Sequence, residues 1–533
     1  MQSELNSKIR NLYHTIVGKN LMIFSLMLLS IGLPLSKFLV GFSQFLLLLN
    51  WLLEGGFAYK WDQLKTNKII WAFLLLPFIH VVWFINTTDF AYGLHDFKIK
   101  LPLLVFPLLV GTSKPLSKKS LELILLIFVL AVFTASLITL SIITGIYDYP
   151  HTNIREASIF ISHIRFGLMV LFSTAIVGYF VYQNYLAQKT KRVVGFFLLG
   201  FWLFIFLIIL QSLTSWVILF FLVIFLFFFY YKQIKWHYLR LASWVGLFLI
   251  IVGTFALVGA VYYNFYFTRN TKFSELPSHT PRGNLYLNDT LSRTKENGHY
   301  VKVLISYKEL AETWPKVSQI PFNGKDAKGY PIWTTMVRYL ASKGLSKDRD
   351  GVLALDKEDV KMIENGNASC VYKMKFVPYV KVYEMVWELD RYTKSGDANN
   401  KSVAQRIEYW KAAAFIIKNN FWVGVGTGDV KQAFGDAYHQ LNSKLKTENR
   451  LRAHNQFITL FLTFGIIGFL LALFSMFYPA YLLSQKQGFF LVSFLFILFV
   501  SMINEDTLET QAGVTFYIFL YSLFTFANFQ NHD

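Results

Sequence analysis

The stretch Ala453-His454-Asn455-Gln456-Phe457 leads through an apolar run to Gly465-Ile466-Ile467-Gly468. On a single α-helix, Gly465 lies about 20° and Gly468 about 40° from the direction of His454, so the three residues share one face. Because two glycines on one face allow a neighbouring helix to approach closely, we predict that Gly465 and Gly468 serve helix packing. His454 then lies at the outer mouth of a helix bundle. The alternative is a histidine that only marks the membrane interface.

The composition indicates a membrane protein. Of the 533 residues, 54% are hydrophobic and only 16% are charged, whereas soluble domains contain about 25% charged residues. Apolar runs of about 20 residues alternate with short basic loops, as in transmembrane helices. The lone Cys370 permits no internal disulfide and indicates no metal cluster. The net charge of +19 is explained by basic cytoplasmic loops, and no basic-aromatic motif for nucleic acid is present, so we expect no nucleic-acid partner.

The apolar periodicity predicts an all-α polytopic membrane protein with about twelve transmembrane helices. The first apolar run lacks a small-residue cleavage site, so we expect it to be retained as a helix. Basic residues recur in alternate connections, which by the positive-inside rule makes these connections and both termini cytoplasmic. The basic connections are 60–68, 114–119, 189–192 and 232–240. The predicted spans lie near 20–34, 37–56, 68–86, 100–112, 121–146, 157–184, 194–211, 213–231, 240–266, 455–482, 488–503 and 513–529.

A long polar region separates the ninth predicted span from the tenth. The sequence therefore divides into a membrane bundle of about nine spans at 1–266, an extracytoplasmic domain at 267–453, and a second bundle of about three spans at 454–533. Stretches with helical apolar periodicity at 333–340 and 382–389 predict that the middle domain is mostly helical.

Four basic residues gather near His454 at the predicted outer boundary of the membrane. Arg406 lies in a helical stretch after residue 402, and Arg452 precedes His454 by two residues. If the sixth span begins near residue 157, Arg165 lies about 12 Å inside it, where an unpaired arginine costs at least about 2.5 kcal/mol. Lys100 is on the outer side against the positive-inside pattern. A structural ion pair is the alternative for Arg165. A solvated basic flank is the alternative for Arg450 and Arg452, and we favour it for Arg450.

These residue types suit the transfer of a sugar from a lipid diphosphate. Guanidinium groups bind diphosphates with two hydrogen bonds, and an imidazole can remove a hydroxyl proton near neutral pH. The acidic residues Glu505, Asp506 and Glu509 could hold a metal, but we favour an ordinary acidic outer loop. The glycine run 424–428 lacks the Lys-Ser/Thr pair and the strand–helix context of a phosphate loop, and is better interpreted as a tight turn.

The sequence resembles the bacterial O-antigen ligases. His454-Asn455, nine residues and then Gly465-x-x-Gly468 are similar to the signature of that family, as are the twelve-span layout and the large loop before the signature. The segment 406–410, followed by 424–428, resembles the loop arginine of the family. The segments 162–166 and 505–513 resemble versions typical of Bacteroidota. O-antigen polymerases and protein O-oligosaccharyltransferases belong to the same superfamily.

The resemblance implies a glycosyltransferase of the bacterial inner membrane, with its active site facing the periplasm. Such an enzyme moves a glycan from undecaprenyl diphosphate to a sugar hydroxyl of lipid A-core, with inversion and without a metal, ATP or any other cofactor. The resemblance implies that His454 and Arg406 are catalytic, and we expect Arg165, Arg452, Asn455 and Lys100 to bind substrate. Leu-Thr-Ser-Trp at 213–216 stands where the family has an arginine. Arg165 is the first candidate to replace it, followed by Arg452 and Lys100.

Two other functions compete with this interpretation. A polymerase would use the same donor with a second lipid-linked glycan as acceptor, and the large loop together with the full signature favours a ligase. A glycan transporter would carry its binding charges near the middle of the bilayer, often within inverted repeats. Here the charges lie at the outer boundary and no repeat is evident, so transport ranks below catalysis.

Overall fold

The computed structural model describes residues 18–150, 155–231, 237–267, 272–483 and 488–527. The predicted all-α class is confirmed, since 72% of the structure is helical. The strands β1 (Lys295–Glu296) and β2 (His299–Tyr300) form one short antiparallel hairpin. The N-terminal residues 1–17 and most of the predicted cytoplasmic loop 232–240 lie outside the described residues.

The helices follow one another with short connections. Up to residue 266 the α-helices are α1 (Gly18–Leu35), α2 (Lys37–Leu53), α3 (Phe57–Thr66), α4 (Lys68–Val82), α5 (Phe90–Lys100), α6 (Pro102–Gly111), α7 (Lys118–Ile143), α8 (His163–Leu186), α9 (Thr190–Leu210), α10 (Leu213–Tyr230) and α11 (His237–Tyr266). They are followed by α12 (Tyr307–Thr313), α13 (Ile332–Ser342), α14 (Arg349–Leu353), α15 (Lys357–Glu364), α16 (Val377–Ser395), α17 (Ser402–Asn419), α18 (Val430–Gln440), α19 (Gln456–Leu482), α20 (Phe489–Met502) and α21 (Gln511–Phe526). Short 3-10 helices occupy Trp83–Asn86, Phe273–Glu275, Trp314–Lys316, Cys370–Lys373, Thr447–Asn449 and Thr507–Glu509.

Seven helices among the described residues are long and apolar enough to cross a membrane, or up to eight if the bent pair α2 and α3 forms one span. The axis turns by 109° between α2 and α3. Each of the twelve predicted ranges contains an α-helix, but α1, α20 and α21 are shorter apolar helices and α6 has only 10 residues. The count of twelve spans therefore stays a prediction, as does the extracytoplasmic placement of the middle domain.

The chain forms two compact units. The first contains Met1–Gln233 and Arg406–Asp533, and the second contains Ile234–Gln405. The predicted boundaries at 266 and 453 separate membrane-spanning segments from an extracytoplasmic domain, whereas these units reflect packing alone. The predicted division into three parts therefore stays a prediction.

The first unit has a core of apolar helices that is rich in phenylalanine. The ring of Phe172 on α8 lies 5.2 Å from that of Phe494 on α20 and 6.0 Å from that of Phe524 on α21. One residue, Ser36, separates α1 from α2, and its hydroxyl caps α2 by accepting from the Leu39 amide. Gly32 permits this hairpin because a Cβ there would meet the backbone of α2.

The second unit has its own core, in which the predicted amphipathic stretches form helices α13 and α16. Trp314 and Tyr339 are fully buried in this core. The carboxylate of Glu296 is also buried and accepts hydrogen bonds from Arg338, Tyr383 and Trp387. An apolar cluster of Val261, Phe265, Val371 and Tyr383 connects α11 with α16.

The single helix predicted from His454 to Gly468 is wrong. Helix α19 begins at Gln456, because the Asn455 side chain accepts from the Ile458 amide and caps it, and His454 has a left-handed φ of 48°. At Gly465 (φ 62°, ψ −173°) the helix is broken. His454 and the two glycines therefore do not share a helical face.

A loop fills the break in α19. The amides of Val425 and Gly426 donate to the carbonyls of Leu462 and Thr463, each at 2.9 Å, and the Ile466 amide donates to the Phe421 carbonyl at 2.8 Å. A Cβ at Gly465 would collide with the backbone of this loop, whereas one at Gly468 would meet the Cβ of Phe464 and the indole ring of Trp83. Gly465 thus admits a loop, and Gly468 admits the indole ring of Trp83, which directly follows the neighbouring helix α4.

The predicted start of the sixth span near residue 157 is also wrong. Helix α8 begins at His163, because residues 155–162 form a turn in which the Ser158 hydroxyl donates to the Ile161 carbonyl at 2.7 Å. Arg165 therefore lies in the first turn of α8 rather than about 12 Å inside it.

We expect Gly465→Ala to destabilise the protein. A side chain at a positive φ costs on the order of 1–3 kcal/mol, and the added Cβ would also displace the inserted loop. The purified variant should show a lower midpoint of thermal unfolding in detergent and a lower abundance in the membrane. Gly178→Ala on α8 is the matched control, since a Cβ there meets nothing within 4 Å. Equal midpoints for the two variants would contradict the interpretation of the break.

Candidate active site

His454 is fixed by its backbone, just before the first turn of α19. Its amide donates to Asp506 Oδ2 at 3.0 Å, and the Asn455 side chain donates to the Ile503 carbonyl at 2.8 Å. Asp506 Oδ1 accepts from the Thr459 hydroxyl at 2.8 Å. The segment that contains His454 and the loop between α20 and α21 thus hold each other in place.

Arg406 approaches the same loop from α17. Its Nη2 atom lies 3.4 Å from the Asn504 carbonyl and 3.5 Å from Glu505 Oε1, the long end of hydrogen-bond distance. One turn further along α17, Trp410 Nε1 donates to the Ala453 carbonyl at 3.0 Å. This bond aligns α17 with the residue that precedes His454. The predicted face shared by Arg406 and Trp410 therefore faces the site.

The side chain of His454 lies beside an aromatic ring and within the electrostatic influence of two guanidinium groups. Its ring centroid is 5.6 Å from that of Tyr409, whose buried hydroxyl has no partner among the described residues. Burial, together with the positive charges of Arg406 and Arg165, lowers the pKa of His454 to about 4. The imidazole is therefore neutral at physiological pH and has a lone pair available to accept a proton.

The sequence favoured an ordinary acidic outer loop for Glu505, Asp506 and Glu509, but in the structure these residues are largely buried. Burial raises the pKa of Glu505 to about 7, against the opposing effect of Arg406 and Arg165. Burial and the charge of Glu509 raise the pKa of Asp506 to about 6. These carboxyl groups are buried because they bind the segments that carry the basic residues and the histidine.

Arg452 and Lys100 are bound to a third carboxylate. Glu509 accepts from both, and the contact with Lys100 is 3.1 Å long. Lys100 is fully buried and also binds Asp96 at 2.5 Å, and Arg452 also binds the Tyr92 hydroxyl. Although burial favours the neutral acid, Lys100 and Arg452 hold the pKa of Glu509 well below its ordinary value. Both basic residues therefore already have carboxylate partners.

Arg165 remains the least engaged of the four basic residues. It is half-buried, and its Nη1 donates to the Ser162 hydroxyl at 3.1 Å, while its buried Nε has no partner among the described residues. Asn504 connects the segment 213–216 with Arg406. Its side chain donates to the Thr214 hydroxyl at 3.1 Å, and its carbonyl lies within 3.4 Å of Arg406 Nη2. The position at which the resemblance implies an arginine therefore adjoins the site.

The sequence identified the basic residues and the histidine, missed Tyr409, and assigned Glu505 to an ordinary acidic outer loop. Tyr409 carries no polar motif, although its position three residues after Arg406 on a predicted helix places both on adjacent faces. The pair Glu505-Asp506 at the end of an apolar run was the sequence feature that pointed to Glu505. Among the described residues no group of three or more His, Cys, Asp or Glu side chains has the arrangement of a metal site.

The fold and the site define a multi-pass α-helical membrane protein with a neutral histidine among basic residues at the ends of its apolar helices. Residues 360–473 match a protein family described as O-Antigen ligase, which confirms the predicted resemblance to the superfamily of O-antigen ligases and polymerases. The match contains Arg406, His454 and both glycines. It supports a glycosyltransferase-like membrane enzyme of O-antigen and lipopolysaccharide biosynthesis. No curated protein matches the chain.

The raised pKa of Glu505 predicts a pH-dependent effect of Glu505→Gln. Because the folded protein binds the Glu505 proton more tightly than the unfolded chain, this group stabilises the fold at low pH, and that contribution is lost as the pH rises from 4.5 through about 7. Glutamine cannot ionise. The midpoint of thermal unfolding of the variant, relative to the unmodified protein, should therefore increase between pH 5 and pH 8.

The control is Glu312→Gln, which changes an exposed glutamate of the second unit. Its midpoint should follow that of the unmodified protein at every pH. A Glu505→Gln variant with the same pH dependence as this control would show that Glu505 titrates as a solvated carboxyl group.

Proposed function

We propose that the chain is an O-antigen ligase that transfers a glycan from undecaprenyl diphosphate to a sugar hydroxyl of lipid A-core. The observation that carries the proposal is the neutral imidazole of His454, whose pKa is lowered by burial and by the charges of Arg406 and Arg165. Arg406 has only long contacts at 3.4 and 3.5 Å, and Arg165 has an unpartnered Nε. Two guanidinium groups with spare hydrogen-bonding capacity suit a diphosphate.

In the proposed reaction the acceptor oxygen attacks the anomeric carbon as the bond from that carbon to the diphosphate oxygen breaks. The leaving undecaprenyl diphosphate keeps the electron pair, and its charge is balanced by Arg406 and Arg165. His454 takes the hydroxyl proton. Because those two arginines help to lower the pKa of His454, a bound diphosphate that neutralises them makes the imidazole more basic when it is needed. Attack opposite the leaving group inverts the anomeric carbon.

The remaining predicted substrate contacts have other partners in the structure. Asn455 caps α19 and holds the Ile503 carbonyl, and Lys100 and Arg452 are bound to Glu509. Removing one partner of a buried ion pair is strongly destabilising. We therefore propose that these three residues position the site, and that Arg406 and Arg165 contact the donor. The Tyr409 hydroxyl is available to hydrogen-bond the acceptor.

We propose that the protein lies in the inner membrane with residues 267–453 in the periplasm. Alkaline phosphatase fused after Gly351 should then be active, because that enzyme folds only outside the cytoplasm, and a fusion after Lys191 should be inactive. The activity of both fusions is measured in whole cells at matched expression. The opposite pattern would place His454 at the cytoplasmic face and refute the proposal.

Deletion in the native host distinguishes a ligase from a polymerase. Loss of a ligase leaves unsubstituted core and an accumulation of lipid-linked polymer, whereas loss of a polymerase leaves core that carries a single repeat. Electrophoresis of the lipopolysaccharide separates the two products. A band of core with a single repeat would identify the protein as a polymerase, whose acceptor is a second lipid-linked glycan.

We expect His454→Ala to reduce the transfer rate by about 10²–10⁴-fold, the usual contribution of a general base. Arg406→Ala should also reduce transfer, and Arg406→Lys should restore it only in part, because an ammonium group lacks the planar fork. Transfer is measured with purified protein and lipid-linked donor, together with the thermal unfolding of each variant. Lys418→Ala, an exposed change on the same helix as Arg406, should transfer normally. Normal transfer by a folded His454→Ala variant would exclude the base role.

A further inference from the structure

A cavity of about 440 Å³ lies beside Arg165 in the first unit. Its walls come from three parts of the chain that are distant in sequence: the hairpin between α1 and α2, the segment 158–162 with the first turn of α8, and the start of α21. A volume of this size is within the range of small-molecule sites, about 300–1,000 Å³. None of the described residues that line the cavity is acidic.

The chemistry of the lining favours an anion. Lys37 contributes an ammonium group from one wall and Arg165 a guanidinium group from another, while Ser158, Thr510 and Gln511 add hydroxyl and amide groups. The buried Nε of Arg165 has no hydrogen-bond partner among the described residues. A bound phosphate group would accept a hydrogen bond from the Arg165 Nε and would balance the positive charges of Lys37 and Arg165.

Three helices begin at this cavity. Helix α2 starts at Lys37, α8 at His163 and α21 at Gln511, and these helices have 17, 24 and 16 residues. The N-terminus of each helix carries a partial positive charge, which adds to the charges of Lys37 and Arg165. The side chain of Ser162, which precedes α8, makes no capping bond to that helix.

The cavity also has an apolar side and a connection to the proposed reaction centre. Leu33, Val40 and Ile161 form part of its wall, which suits the first isoprenoid carbons of a lipid. Arg165, which lines the cavity, is close enough to Glu505, Asp506 and His454 to interact with them electrostatically. Arg165 is therefore both a wall of this cavity and one of the two guanidinium groups that act on His454.

We propose that this cavity binds the diphosphate of the lipid-linked donor, with Lys37 as a second cation opposite Arg165. This inference rests on the proposed function for the identity of the donor, and the binding of the lipid diphosphate can be tested without transfer.

The test uses the full chain in nanodiscs of zwitterionic phospholipid, with undecaprenyl diphosphate as the probe. Lys37→Ala should weaken its binding about tenfold or more, the loss expected for one charge-assisted contact, and Lys37→Arg should retain most of it. The matched control Lys98→Ala removes an exposed lysine near the same end of the bundle and should bind normally. Thermal unfolding of each variant establishes that it is folded. With a full donor, Lys37→Ala should raise the donor KM by a similar factor and leave kcat nearly unchanged.

Undecaprenyl monophosphate and phosphatidylglycerol are the competing lipids. We expect both to compete at least tenfold more weakly than undecaprenyl diphosphate, because each has one phosphate. Equal competition by phosphatidylglycerol, unchanged binding by Lys37→Ala, or the same loss in Lys98→Ala would overturn the inference. If the protein transfers no glycan but still binds undecaprenyl diphosphate through Lys37, the cavity inference stands and the proposed function fails.

Discussion

At Gly465 the backbone of α19 leaves the helical conformation and exchanges hydrogen bonds with residues 421–426. Unpaired amide and carbonyl groups cost several kcal/mol each in an apolar environment, so a break in such a helix persists only where another segment pairs with it. The inserted segment is itself anchored, since Trp83 Nε1 donates to the Val423 carbonyl at 2.6 Å and the Asn86 side chain donates to the Gly424 carbonyl at 3.0 Å.

This pairing fixes the register of the two helices that carry the proposed catalytic residues. The bond from Trp410 to the Ala453 carbonyl connects α17 with the segment before α19, and the backbone bonds of residues 421–426 connect the loop after α17 with α19 itself. With both attachments made, α17 can neither slide nor rotate freely against α19. Arg406 and His454 are therefore held close together.

The three carboxyl groups between α20 and α21 give the basic residues different roles. Glu509 neutralises Lys100 and Arg452 in a buried cluster, whereas Glu505 makes only a long contact with Arg406. Asp506 binds the His454 amide rather than a basic residue. Because a group that is already paired gains little from an incoming anion, the two arginines with weak or missing partners are the ones left to bind a diphosphate.

The sequence by itself determined the all-α class, the positions of the apolar helices, and most of the charged residues of the site. Hydrophobic runs and helical periodicity are local properties of the chain. A charged side chain within such a run costs free energy on insertion into the membrane, so its presence indicates a functional position. Only the tertiary structure decided that α19 begins after His454 and breaks at Gly465, that α8 begins at His163, and that Lys100 and Arg452 are neutralised. Caps, loop insertion and ion pairing depend on partners up to hundreds of residues away, which no local pattern encodes.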